Sequence, residues 1–156
     1  MFNKIQTVKA HCDVPCGIYD PHTAQVAALS VIRMVDLMDA KVADKPQSEA
    51  QYLNDMARYI AVKEEEAIKC KEEVRIIWGD FIKPPHLEQF PEIHQIVHNI
   101  MAKGGAAKQH ASRAKAMELL DEVNKFAEIF WQIKGVETKK AKAPYAPNEE
   151  LVYPVL

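Results

Sequence analysis

Apolar residues recur along this chain at the three-and-four spacing of helices, in four blocks set apart by proline and glycine. From Pro21 to about Val42 the stripe runs Ala28, Val31, Ile32, Val35, Met38 and Val42. Asp20-Pro21 opens it, with Asp as N-cap and Pro at the first helical position. A longer block from about Gln47 to Ile82 carries Met56, Ile60, Ala67, Cys70, Val74, Ile77 and Phe81, close to a heptad rhythm, and Pro84-Pro85 ends it. A third begins near Pro91 with Ile93, Ile96, Val97, Ile100 and Met101, and Gly104-Gly105 is expected to break it. The fourth, from about Ala107 to Lys134, carries Leu119, Leu120, Val123, Phe126, Ala127 and Phe130, and stops at Gly135.

These blocks predict an all-α fold, a four-helix bundle of residues 11–135. Before the bundle stands a short segment rich in metal donors. After it, Val136 to Leu156 is rich in Lys, Pro and Glu and shows no period, so it is expected to be an extended C-terminal tail or disordered. No stretch reads as a strand.

Length, 156 residues, suits one domain with a sizeable core. Charges nearly balance at a net −2, with no basic face and no RNA- or DNA-binding motif, so nucleic acid is not an expected partner. No apolar run is long enough to span a membrane. Residues 1–10 lack the apolar centre of a secretory signal, so the expected location is cytoplasmic. Thiols are kept reduced there, which favours metal or redox chemistry for Cys12 and Cys16 over a structural disulfide. Cys70, alone in a helical stripe, reads as a small core residue.

His11, Cys12 and Cys16 place an imidazole and two thiols within six consecutive residues. Val14-Pro15 favours a turn and Gly17 permits backbone geometry closed to other residues, so the segment can curl into a hook. Soft thiolates with nitrogen donors suit late first-row metals, and a square-planar arrangement would suit nickel(II) or copper(II). Spacing alone leaves three readings open: a metal site, a reversible thiol pair, or a plain loop. Cys-x-x-x-Cys is not the usual zinc pair, and no second pair follows at zinc-finger spacing.

The run HCDVPCGIYDP, His11 to Pro21, resembles the H-C-x-x-P-C-G-x-Y-D-P signature of the nickel-containing superoxide dismutases. Trp78 to Glu92, WGDFIKPPHLEQFPE, is similar to that family's W-x-D-x-x-K-P-P-H-x-E-Q-x-P-E segment, and Lys125 to Trp131 resembles its last helix. The likeness covers roughly His11 to Lys134. It implies that residues 1–10 are a propeptide removed by a maturation peptidase cutting between Ala10 and His11. It further implies nickel held by the freed amine of His11, the amide nitrogen and thiolate of Cys12, and the thiolate of Cys16, with the His11 imidazole as axial ligand. The implied activity is antioxidant: disproportionation of superoxide to dioxygen and hydrogen peroxide as nickel cycles between two and three. Tyr19 and Asp13 would line the approach, Tyr19 ordering the incoming anion, in a homo-oligomer of six bundles.

Lys83 and His86 would support the hook or simply form a helix terminus. His22, His94, His98 and His110 read as ordinary helix residues. Three positions depart from some members: Ala27 falls on a glutamate that orients the axial imidazole, Glu66 on its arginine partner, and Phe81 on a tyrosine. Two competing readings use the same hook: a non-catalytic nickel or copper carrier, and a protein with a reversible Cys12–Cys16 disulfide. Tyr19 and the KPPH segment favour the enzyme, since a carrier needs neither.

Overall fold

The computed structural model describes residues 17–44 and 48–156. Four long helices, α1 (His22–Ala43), α2 (Glu49–Ile76), α4 (Ile93–Gln109) and α5 (Arg113–Ile133), form the bundle, with a short α3 (Pro84–Gln89) between the second and the third of these. Around the ring α1 packs on α2, α2 on α4, α4 on α5, and α5 back on α1. The core centres on Phe126 and Phe130 of α5, facing Ile32 of α1 and Ile93 and Ile100 of α4.

Each helix starts where its donors find a partner. The Asp20 carboxylate accepts the His22 N–H at 2.8 Å. Ser48 accepts from the Gln51 N–H at 3.1 Å, and Ser112 caps α5 in the same way. At the other end of α4 the buried Lys63 ammonium donates to the carbonyls of Ala107 (2.9 Å), Lys108 and His110 (3.3 Å), neutralising the carbonyl end of that helix.

Three details differ from the sequence expectation. Gly104-Gly105 does not break a helix, for α4 runs through to Gln109 and the break falls at 110–112. Gly104 serves a close approach: a Cβ there would sit 2.8 Å from the Cδ of Lys71 on α2. The apolar stripe of α2 enters the core only from Ala67 onward, with Ile60 exposed, and Val42 at the end of α1 is 65 % exposed. Finally, α2 runs into a π-helical turn, Ile77–Phe81, closed by the Ile82 N–H on the Ile77 carbonyl at 3.2 Å.

The C-terminal segment is ordered, against the expectation of an extended or disordered tail. Gly135, at φ +69°, ends α5 as a left-handed glycine. Then β1 (Thr138–Lys142) and β2 (Glu150–Pro154) pair antiparallel, Lys140 opposite Val152. Leu151, Val152 and Ala143 are fully buried, and both strands lie on α5. Their signal is weak because β1 is TKKAK and the buried pair in β2 are adjacent residues, which erases the alternation of a half-buried strand.

Candidate metal centre

His11, Cys12, Asp13 and Cys16 lie outside the described residues, which begin at Gly17. Gly17 there has φ +88°, a left-handed conformation that disfavours any side chain. Ile18 is exposed, and the chain then turns in, so that the Tyr19 ring packs on Phe81 with centroids 5.9 Å apart. Asp20 is occupied as the cap of α1.

Phe81 is the hub of this end of the bundle. Besides Tyr19 it meets Phe130 at 4.9 Å and lies nearly parallel to His86 at 5.5 Å. The Lys134 ammonium sits 4.8 Å from the Phe81 centroid, a cation on a π face. The π turn delivers Phe81 to this place, and the KPPH segment follows directly. His86 Nδ1 accepts the Lys83 N–H at 3.1 Å, which leaves Nε2 to carry the proton of the neutral ring. Lys83 and His86 thus form the start of α3, the helix-terminus reading of the two, and His86 stacks on Phe81. Lys134 was not singled out in the sequence; a lysine capping the end of a helix gives no sign of which ring it covers.

Two of the remaining histidines have structural partners: His94 accepts from Trp78 Nε1 at 3.1 Å, and His110 Nδ1 lies 2.9 Å from the Ala106 carbonyl. Ala27 is fully buried among core residues. Among the described residues no three His, Cys, Asp or Glu side chains converge on a point that could hold a metal. Burial pushes the Cys70 thiol up to about 12, so it is no thiolate donor near neutrality. The soft donors left are Cys12 and Cys16, beside the only amine-imidazole combination the resemblance offers, and that donor set fits nickel.

Comparison with known proteins converges on the same group. A profile of the family described as nickel-containing superoxide dismutase matches residues 6–134. Superoxide dismutase [Ni] of Streptomyces coelicolor is 38 % identical over 135 residues, which is 86 % of this chain and 92 % of that protein. Its counterpart in Streptomyces seoulensis is 36 % identical over 134 residues, with the same shares covered. A native nickel superoxide dismutase structure superposes with TM-score 0.69 at 34 % identity, covering 80 % of this chain and 99 % of that one. A structure with nickel ligation of the oxidised state gives 0.70, again at 34 % identity and the same shares. The chain belongs to the nickel-containing superoxide dismutase family.

Proposed function

We propose that the chain disproportionates superoxide at a nickel centre built from the segment His11 to Cys16. Two superoxide ions and two protons give one dioxygen and one hydrogen peroxide. The observation that carries the reading is the anchor at residues 17–20: a left-handed Gly17, a Tyr19 ring on the Phe81 hub and an Asp20 cap, directly after the donor residues.

The His11 amine and imidazole, the Cys12 amide nitrogen and thiolate, and the Cys16 thiolate are the ligands. Nickel bound there supplies a one-electron couple, and anionic sulfur and nitrogen donors stabilise its higher state. Cys16 stands three residues before Tyr19, so it is tethered within about 11 Å of it even by a fully extended chain. The Tyr19 hydroxyl donates to the incoming anion and Asp13 shapes the approach. Phe81, backed by His86 and Phe130, holds the Tyr19 ring in place.

The free amine of His11 requires cleavage after Ala10, so residues 1–10 are a propeptide and a peptidase is a partner in maturation. Residues 11–135 are the functional unit and 136–156 an appended segment. The active form is a hexamer in the cytoplasm. The apolar side chains exposed on α2, Leu53, Ile60 and Ile68, support burial against other copies. No helix among the described residues is long and apolar enough to cross a membrane.

The test is superoxide consumption by the chain beginning at His11, loaded with nickel, beside the full-length chain treated identically. Fast consumption by the trimmed form alone is expected. Tight nickel binding without consumption refutes the enzyme in favour of a carrier, and absence of nickel binding refutes the ligand set.

A further inference from the structure

We propose that the C-terminal hairpin is a positioning element for the metal site, a clamp on the first turn of α1 from which the hook hangs. The proposal rests on the ligand reading given above. The family profile ends at residue 134, so β1 and β2 lie beyond the region it describes.

A hook that joins a helix by a few residues is held only as firmly as the first turn of that helix. First turns fray, since their N–H groups lack helical partners. Asp20 satisfies one of them here, and the first turn of α1 contains no acidic residue to complement the helix dipole. Extra restraint must come from outside the helix, and the hairpin supplies it at three points.

The innermost is a buried amide hub. Gln25, 1 % exposed, donates from Nε2 to Asn124 Oδ1 on α5 at 2.9 Å and to the Val152 carbonyl of β2 at 3.1 Å. Asn124 donates in turn to the Glu150 carbonyl at 2.9 Å and accepts the Val152 N–H at 3.4 Å. One connected set of bonds thus joins α1, α5 and β2, with Gln25 at its buried end, so displacement of the first turn leaves the buried Gln25 amide unpaired. The second point is a ring contact between Tyr153 of β2 and His22, the first residue of α1, with centroids 6.1 Å apart. Asp20, His22 and Gln25 face Trp131, Val152 and Tyr153 across a cleft of about 170 Å³, so the hairpin stands beside the hook root itself. The third point lies further along the same helix. Arg113 pairs with Asp36 of α1 at 2.9 Å and with Glu149 of the hairpin loop, fixing the hairpin against α1 at two separated levels.

Tyr19 packs on Phe81 just before this turn. The hairpin adds direction, because its hydrogen bonds to Gln25 fix rotation about the helix axis. Groups that orient the support of a metal site affect metal retention even though they never touch the metal.

The experiment compares Tyr153→Ala, Tyr153→Phe and Asn124→Ala in two settings. In the full chain without metal, amide hydrogen exchange across residues 18–26 reads the anchoring directly. In the chain beginning at His11, loaded with nickel, release of nickel to a chelator reads its consequence. Tyr153→Ala and Asn124→Ala are expected to speed exchange in that segment and to speed nickel release about tenfold. Tyr153→Phe keeps the ring and is expected to behave as the parent in both. Unchanged exchange in the two alanine variants overturns the proposal. Faster exchange with unchanged nickel release overturns it as well, leaving the hairpin a part of the fold only. Should Asn124→Ala not fold, the Tyr153 pair decides alone, as its ring lies at the partly exposed edge of the cleft. A parent chain that itself holds no nickel refutes the ligand set, and the two failures are thereby told apart.

Discussion

The proposed separation of the three cysteines into two donors and one core residue can be measured by thiol titration. At pH 8 a thiol with the ordinary value of 9.0 is ionised to about one part in ten, whereas one pushed to about 12 is ionised to about one part in ten thousand. Ionisation alone makes Cys70 about a thousandfold less reactive than an ordinary thiol, and complete burial of the side chain adds a further barrier of access. A chromogenic disulfide reagent at pH 8 is therefore expected to modify two thiols of the reduced, metal-free chain rapidly. The third is expected to react only when guanidinium unfolds the bundle. Nickel loading of the chain beginning at His11 should slow the fast pair and leave the third unchanged. Cys70→Ala should keep both fast thiols and full nickel binding while costing about 1 kcal/mol of stability through its lost packing. A third thiol reacting within about tenfold of the other two in the folded protein would refute the assignment. So would loss of nickel in Cys70→Ala.

In the trimmed, nickel-loaded chain, Tyr19→Phe should retain nickel and its melting temperature while kcat/KM for superoxide falls about tenfold, the worth of one hydrogen bond to an anion; an unchanged rate would make Tyr19 a packing residue only. Gly105→Ala, with open space around the new methyl, should raise stability by about 1 kcal/mol, whereas Gly104→Ala must displace Lys71 and should gain less or lose; thermal melts ranking them the other way would contradict the close approach of α2 and α4. Burial opposes ionisation of Glu122, but hydrogen bonds from Lys103 and Lys125, each at 2.9 Å, win and hold its carboxyl below the usual 4.5. A depressed folded value means the contribution is complete above that pH and is lost as the pH falls through the folded value. Urea midpoints should show Glu122→Gln weaker by about 1–2 kcal/mol at pH 7, allowing for the partial exposure of both lysines, with the gap closing in acid; a gap independent of pH would rule out the ion pairs as its source.

The bundle was legible because its signals are local. Asp20-Pro21, the doubled proline after Ile82 and the apolar spacing of α5 each reflect one helix at a time, and each lies where its chemistry places it. What escaped reading depends on two elements meeting. Gly104-Gly105 has the composition of a break, and only the Lys71 stem against Gly104 gives that glycine its purpose. Ile60 and Val42 continue a helical period but reach past the part of their helices that other helices cover. The hairpin is stabilised by Gln25 and Asn124, residues 99 apart that carry no mark of burial in the sequence. Around the candidate metal centre, the motif residues carry the resemblance, and Tyr19 lies against Phe81. Lys134 on the Phe81 face could not be foreseen, since a cation at a helix end is ordinarily solvated.

The π turn at Ile77–Phe81 gives this end of the protein an unusual sensitivity to length. It holds one residue more than a turn of the α-helix it ends, and that surplus sets the direction in which the chain leaves α2. Gly79 sits in the bulge, where an added Cβ meets nothing within 4 Å, so the position has room for a side chain. It does not tolerate absence. Deleting Gly79 would close the bulge into regular helix and turn the following segment by about 100° with a shift of about 1.5 Å. Phe81 would swing away from Tyr19, Phe130 and Lys134 together, and His86 with it. A position free in composition is thus fixed in number, and a gap at Gly79 displaces Phe81 where a substitution at Gly79 leaves it in place.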